Sequence, residues 1–157
     1  MRHRVKRHQL NRTSGHKTAM LRNLIAAMIL HRRIRTTEEK AKAAVPLVEH
    51  LVTLARRGTI TDRRLAASLL GDRIVAEVSP DGEAPVKRHA VAILFNEIAP
   101  KLRERTSGFT RIVRLSKHRL GDNASQVFFE FILPEEDMKS KESKSAKKEK
   151  KEPAEQK

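Results

Sequence analysis

The 157-residue chain contains no Cys, no Trp and no Tyr, and only 3% of it is aromatic. Without Cys there is no disulfide framework, no thiolate zinc site and no cysteine nucleophile. With so few rings, stacking on unpaired bases is not the main mode of recognition. The longest apolar run covers residues 24–30, far short of the roughly 20 residues that span a bilayer. No Gly-rich stretch has the spacing of a phosphate cradle or a dinucleotide fingerprint. At 38% apolar residues, the chain can build one modest core, and one domain is expected at this length.

Acidic residues are missing from one end. The first is Glu38, and residues 1–37 hold +10 of the net +15 charge. Residues 38–133 hold +4 and residues 134–157 hold +1. A basic excess kept for solubility would be spread along the chain. This one is concentrated, which points to a polyanionic partner, either nucleic acid or an anionic membrane surface. The candidate phosphate contacts are Arg2, Arg4, Lys6, Arg7, Arg12, Lys17, Arg22, Arg32, Arg33 and Arg35. His3, His8, Asn11, Thr13, Ser14, His16 and Asn23 add polar groups that reach backbone and base edges. A transit peptide is also Arg-rich and acid-poor, but such peptides are Ser-rich and Ser14 is the single Ser before residue 38. A secretory signal fits less well. Arg22 and Asn23 interrupt the apolar stretch, and His31-Arg32-Arg33 follows where small cleavage-site residues belong.

Enzyme chemistry finds no support. His3 with His8, or His8 with His16, lies in a stretch without a carboxylate to complete a metal site. Glu38 and Glu39 read as first-turn residues of a helix, and Asp122 reads as a turn residue. No metal, cofactor or small-molecule substrate is expected, and a nuclease would need the clustered carboxylates or metal-binding His set that are missing.

Periodicity divides the chain into an arm, a domain and a tail. Residues 1–13 have no apolar period and read as an extended basic arm, disordered when free and ordered on RNA. From Ser14, a plausible N-cap, Met20, Leu21, Leu24, Ile25, Met28 and Ile29 recur at helical spacing. This helix is expected to end near residues 31–33 and to lay Arg22 against RNA. Thr36-Thr37-Glu38-Glu39 reads as a capping box with Thr36 as N-cap. The helix it opens carries Ala41, Ala44, Val45, Val48, Leu51, Val52 and Ala55 on one stripe and closes at Gly58. Pro46 is expected to kink or divide it. Thr61-Asp62 caps a third helix through Leu65, Ala66, Leu69 and Leu70. Residues 76–88 contain Ser79-Pro80-Asp81-Gly82 and Pro85 and read as a loop. A fourth helix is expected over 86–98, with Val91, Leu94, Phe95 and Ile98 inward.

Residues 109–116 and 126–133 read as antiparallel strands joined by a turn at residues 120–124. Phe109, Phe128, Phe129 and Phe131 belong to this pair and read as core. Arg111, Arg114, Lys117 and Arg119 extend the basic set into it. Residues 134–157 form a Lys/Glu/Ser tail with too little apolar surface to order itself. Gly108-Phe109-Thr110-Arg111-Ile112-Val113 loosely resembles an aromatic signature strand of the RNA-recognition motif, but the paired stacking rings and the βαββαβ order are missing.

Several blocks together resemble the bacterial large-subunit ribosomal protein L-seventeen family. They are Met1-Arg2-His3-Arg4, then Leu10-Asn11-Arg12-Thr13 with His16-Lys17, and then Arg35-Thr36-Thr37-Glu38-Glu39-Lys40-Ala41-Lys42. Arg63-Arg64-Leu65-Ala66, Leu94-Phe95-Asn96-Glu97, Gly108-Phe109-Thr110-Arg111-Ile112 and Gly121-Asp122-Asn123-Ala124 follow in order. The resemblance implies an α+β fold, a two-layer domain over residues 14–133 in the order α-β-α-α-α-β-β. A small three-stranded mixed sheet packs on helices, and residues 34–37 become the first strand. It implies a structural role in the cytoplasmic 50S subunit, bound to 23S ribosomal RNA beside neighbouring proteins near the peptide exit region, with no catalysis, cofactor or membrane. The family-like start at Met1 argues against a cleaved presequence. Residues 76–88 look like an insertion and residues 134–157 like an extra tail. The competing class is a small basic DNA-binding protein, which would need a groove-reading helix and a dimer surface.

Overall fold

Apolar side chains at helical spacing and one strongly alternating strand dictate most of the architecture. The computed structural model describes residues 8–71, 74–77 and 86–133. The predicted tail and residues 1–7 of the predicted arm lie outside them. Four helices and a three-stranded sheet make an α+β fold.

Helix α1 (Ser14–His31) buries Ile25, Ala26, Met28 and Ile29, with Thr13 rather than Ser14 at the N-cap. It ends where Arg32 adopts a left-handed φ of 67° and its N–H bonds the Met28 carbonyl. Such a conformation is costly for a residue with a Cβ and is normally left to Gly. The chain turns at once into β1 (Arg33–Thr37) and then into α2 (Glu38–Arg57). The expected capping box does not form. Thr36 lies in β1, the N-cap is Thr37, and no cap hydrogen bond forms from its side chain. Pro46 does not divide α2. The predicted apolar stripe is buried, apart from half-buried Val45. Gly58, at φ 73°, closes the helix.

Helix α3 (Ile60–Leu70) has its N-cap at Thr59, two residues before the predicted Thr61. Thr59 Oγ1 accepts the Asp62 N–H at 3.1 Å, so the pair that caps it is Thr59 and Asp62. Ala66 and Leu70 are buried, whereas Leu65 is exposed. The predicted loop over 76–88 is also corrected in part. Strands β2 (Ile74–Glu77) and β3 (Val86–His89) pair in antiparallel register, Ile74 opposite His89 and Glu77 opposite Val86. The Ser-Pro-Asp-Gly stretch falls outside the described residues. The fourth helix therefore begins only at α4 (Ala90–Ile93), continues as a π turn (Leu94–Ile98) and ends in a 3-10 turn (Pro100–Leu102). Val91, Leu94, Phe95 and Ile98 point inward as expected.

Strands β4 (Thr110–His118) and β5 (Ser125–Phe131) form the predicted hairpin. The sheet order is β1-β5-β4 and both ladders are antiparallel. The expected mixed sheet is thus corrected. β1 and β4 run the same way, so the sheet would be mixed only if they touched, and β5 lies between them. Val127, Phe129 and Phe131 of β5 face the helices and are fully buried. Each such side chain contributes about 1.5–3 kcal/mol through burial. Helix α2 lies at the centre of the layer and touches all three strands as well as α1 and α3. The outer face of the sheet carries Arg33, Arg111 and Glu130 beside Val113 and Phe128.

Candidate nucleic-acid interface

The predicted basic residues separate into two groups once their partners are seen. The first group serves the fold. Arg32, placed among the candidate RNA contacts, is buried. Its Nη1 donates to the Ile29 carbonyl at 2.8 Å and its Nη2 pairs with Glu97. It satisfies the C-terminus of α1 with a cation, where the helix dipole favours one. That contact offsets the cost of its own left-handed backbone. Arg22 does the same for a different helix. Its Nε donates to the Leu69 carbonyl at 2.9 Å and its Nη2 to the Ser68 carbonyl at 3.1 Å, at the end of α3. Arg32 is buried and Arg22 half-buried, and both guanidinium groups are turned to backbone carbonyls. For these two residues the expectation is corrected, because orphan carbonyls at helix ends compete for donors as phosphate does.

The outer face of the sheet repeats this pattern. In the registers of the two ladders, Glu130 on β5 lies directly opposite Arg33 on β1 and Arg111 on β4. Its carboxylate, 2% exposed, lies 3.1 Å from Arg33 Nε and is bonded by Arg111 Nε. Opposite charges directly across a ladder stabilise it, and the long arginine stems cover the carboxylate. Arg33 also stacks over the Phe128 ring, 3.8 Å from its centroid. Phe128 is therefore an outer-face residue beneath a guanidinium, whereas Phe109, Phe129 and Phe131 are core as expected. Arg114 Nη2 bonds Glu38 at 2.6 Å, and Lys42 lies 2.9 Å from the same carboxylate. These contacts from Lys42 and then Arg114 hold the Glu38 carboxyl below its usual value, and Glu38 in turn raises Lys42. Arg119 is bonded by Asp122 in the β4–β5 turn, which holds the Asp122 carboxyl down at about 2.

The second group faces solvent. Residues 8–13 are not extended. Leu10 and Asn11 adopt φ of 52° and 51°, and the Arg12 N–H bonds the Gln9 carbonyl. This turn leads into α1 at Thr13. Asn11, Arg12, Thr13, Ser14, His16 and Asn23 are exposed, and Lys17 is half-buried. Arg12 shares its guanidinium with His16 at 2.7 Å, one helical turn along. His8 Nδ1 lies 3.6 Å from Glu39, which pins the turn beside α2. Between them runs a groove of about 390 Å³ lined by His8, Lys17, Leu21, Lys42, Ala43, Val45 and Pro46. On the opposite side, Lys117 is exposed on β4. Arg2, His3, Arg4, Lys6 and Arg7 lie outside the described residues.

Three residues that hold this arrangement together carried no signal in sequence. Glu49 accepts the N–H groups of Phe109 and Thr110 at 2.9 and 3.1 Å. Arg56 donates to the Arg103 and Thr106 carbonyls. Glu130 was hidden in an apolar alternation. Among the described residues no group of three or more His, Asp or Glu is placed to hold a metal ion. No described helix is long and apolar enough to cross a membrane.

A small α+β domain with a basic, acid-free edge is thus the class that fold and surface define. The family model described as ribosomal protein L17 matches residues 20–132. A protein of Persephonella marina is 42% identical over 132 residues, covering 84% of this chain and 95% of its own length. One from Hydrogenobaculum is 38% identical over 132 residues, covering 84% and 99%. A third, from Ligilactobacillus salivarius, is 40% identical over 124 residues, covering 79% and 96%. All three are named large ribosomal subunit protein bL17. The chain belongs to the ribosomal protein L17 family.

Proposed function

We propose that the protein is a structural component of the large ribosomal subunit in the cytoplasm and binds 23S ribosomal RNA there. The observation that carries this reading is the concentration of ten Lys and Arg ahead of the first acid, Glu38, on a chain whose relatives are named for that subunit. The contacts are made by the arm, residues Arg2, His3, Arg4, Lys6 and Arg7, and by the described turn and helix start. The latter comprise His8, Asn11, Arg12, Thr13, Ser14, His16, Lys17 and Asn23. Lys117, Arg119 and Arg35 add contacts at the sheet. Most of the sheet's arginines instead keep the domain rigid, so that it anchors the arm against folded RNA. Neighbouring large-subunit proteins near the peptide exit region complete the surroundings. The chemistry needs no cofactor and no catalytic group. Backbone phosphates are met by charge and shape, and base stacking has little part.

Sucrose-gradient fractionation of a cell lysate before and after a high-salt wash tests this reading. The protein is expected to travel with the large subunit and to resist the wash. Recovery at the top of the gradient, or with the DNA, would overturn it in favour of a small basic DNA-binding protein.

A further inference from the structure

Where β1 ends, α2 starts and β5 begins, six side chains enclose a groove of about 290 Å³: Arg35, Thr36, Thr37, Lys40, Arg119 and Gln126. Three are cations, each from a different element, and three are neutral hydrogen-bonding groups. No carboxylate, aromatic ring or aliphatic side chain lines it. We propose that this groove seats a single phosphate group of the ribosomal RNA backbone, a contact separate from the arm. This rests on the RNA-binding reading above and adds Thr36, Thr37, Lys40 and Gln126 to the contact set.

The groove is organised before any ligand arrives. Arg35 Nε is held by Gln126 Oε1 on the neighbouring strand, and Thr37 lies opposite Gln126 in the ladder. Arg119 is fixed by Asp122 through Nε and Nη2, and its N–H bonds the Ala124 carbonyl across the turn. Asp122 offsets part of the Arg119 charge but does not line the groove. The acids of the first turn of α2 are engaged elsewhere. Glu38 faces Lys42 and Arg114, and Glu39 faces His8 and Lys42. Lys40 makes no ion pair with the described residues. The positive end of the 20-residue α2 adds to the field.

This donor set matches phosphate. Arg35 keeps both Nη groups and Arg119 its Nη1 for an added anion, Lys40 is a point charge, and Thr and Gln add neutral hydrogen bonds. An organic ligand would need a mostly apolar pocket, and here the apolar surface is limited to the stems and methyls of polar side chains. The sheet centre is a poorer seat, because Arg33 and Arg111 are already committed to Glu130.

The test uses the full chain. Inorganic phosphate is titrated at constant ionic strength while backbone amide shifts are followed. The amides of Thr36, Thr37, Lys40 and Gln126 are expected to shift and saturate, and the double variant R35Q/K40Q is expected to lose the response. With protein-free large-subunit RNA, R35Q/K40Q is expected to weaken binding about tenfold near 100 mM salt and to reduce the log–log salt slope by roughly 1. The control R57Q/R64Q removes the same charge from exposed positions outside the groove and is expected to leave both unchanged. Shifts that never saturate, or equal losses in the two double variants, would overturn the assignment. Saturable phosphate binding with unchanged RNA affinity would also overturn it, marking a site for free phosphate. A wild-type chain that binds unrelated RNA as well as large-subunit RNA would count against the functional reading itself, a different result from any of these.

Discussion

The acid-free stretch from His8 to Asn23 and the outer face of the sheet are built from the same kind of side chain and use it in opposite ways. On the sheet's outer face, Arg33 and Arg111 flank Glu130, and from the other face Arg114 reaches Glu38. In the stretch, Arg22 is turned to the end of α3, but among the described residues the Arg12 guanidinium meets only His16, and Asn11, Thr13, Ser14 and Asn23 face solvent. Charge that is neutralised inside the chain stabilises the fold. Charge that the chain leaves unneutralised is available to a partner. Counting cations along a sequence cannot separate these uses, whereas locating the carboxylates and orphan carbonyls can.

That division can be broken in several ways. The largest effect belongs to the unneutralised group. If it meets six or more phosphates, affinity for large-subunit RNA is expected to fall by about 10³-fold between 50 and 200 mM salt, measured by filter binding. A loss of only a fewfold would leave the stretch with little electrostatic role.

Next comes Arg32, the cation furthest inside. Arg32→Ala strands the Ile29 carbonyl and removes a buried partner of Glu97. It is expected to cost about 3 kcal/mol in urea unfolding. A loss below ~1 kcal/mol would mean that the helix end is satisfied without it.

Removing both flanking arginines, R33A/R111A, leaves Glu130 buried and uncompensated. About 2 kcal/mol is expected, discounted because both arginines are partly solvated. RNA affinity measured on the folded fraction should change less than stability does. A larger change in affinity would move the sheet centre into the interface.

The smallest effect lies in the β4–β5 turn. Arg119 holds the Asp122 carboxyl down from 3.8 to about 2. A depressed carboxylate stabilises the fold above its unfolded value, and the contribution is lost as pH falls through its folded one. The wild type should therefore exceed Asp122→Asn in stability above pH 3.8, and the gap should close as pH falls toward 2. An unchanged gap across that window would show that ionised Asp122 does not stabilise the turn.

Much of the fold was legible in sequence because its signals are periodic. The stripes of α1 and α2 and the alternation Val127, Phe129, Phe131 name their own buried faces. The errors fall where local signals compete. Thr36 and Thr37 are both acceptable caps, and both pair with β5, so the strand runs on to Thr37 and the helix starts directly after it. Residues 74–77 and 86–89 are too short to show alternation around a Pro- and Gly-containing stretch, so the hairpin read as a loop. The resemblance supplied the first strand but not which neighbour it pairs with. At the surface, the acid-free stretch was visible in composition. The roles of Arg22 and Arg32 were not, because each depends on a helix end or a carboxylate 46 to 65 residues away in sequence. Glu49 and Glu130 were silent for the same reason.

The most direct test of the central claim measures two properties of one variant. In R4A/R7A/R12A, affinity for large-subunit RNA and the thermal midpoint of the free protein are determined side by side. A strong loss of affinity with an unchanged midpoint is the predicted result for cations that serve RNA and not the fold. A midpoint lowered by several degrees, with affinity retained, would show that the arm serves the fold and would contradict the division.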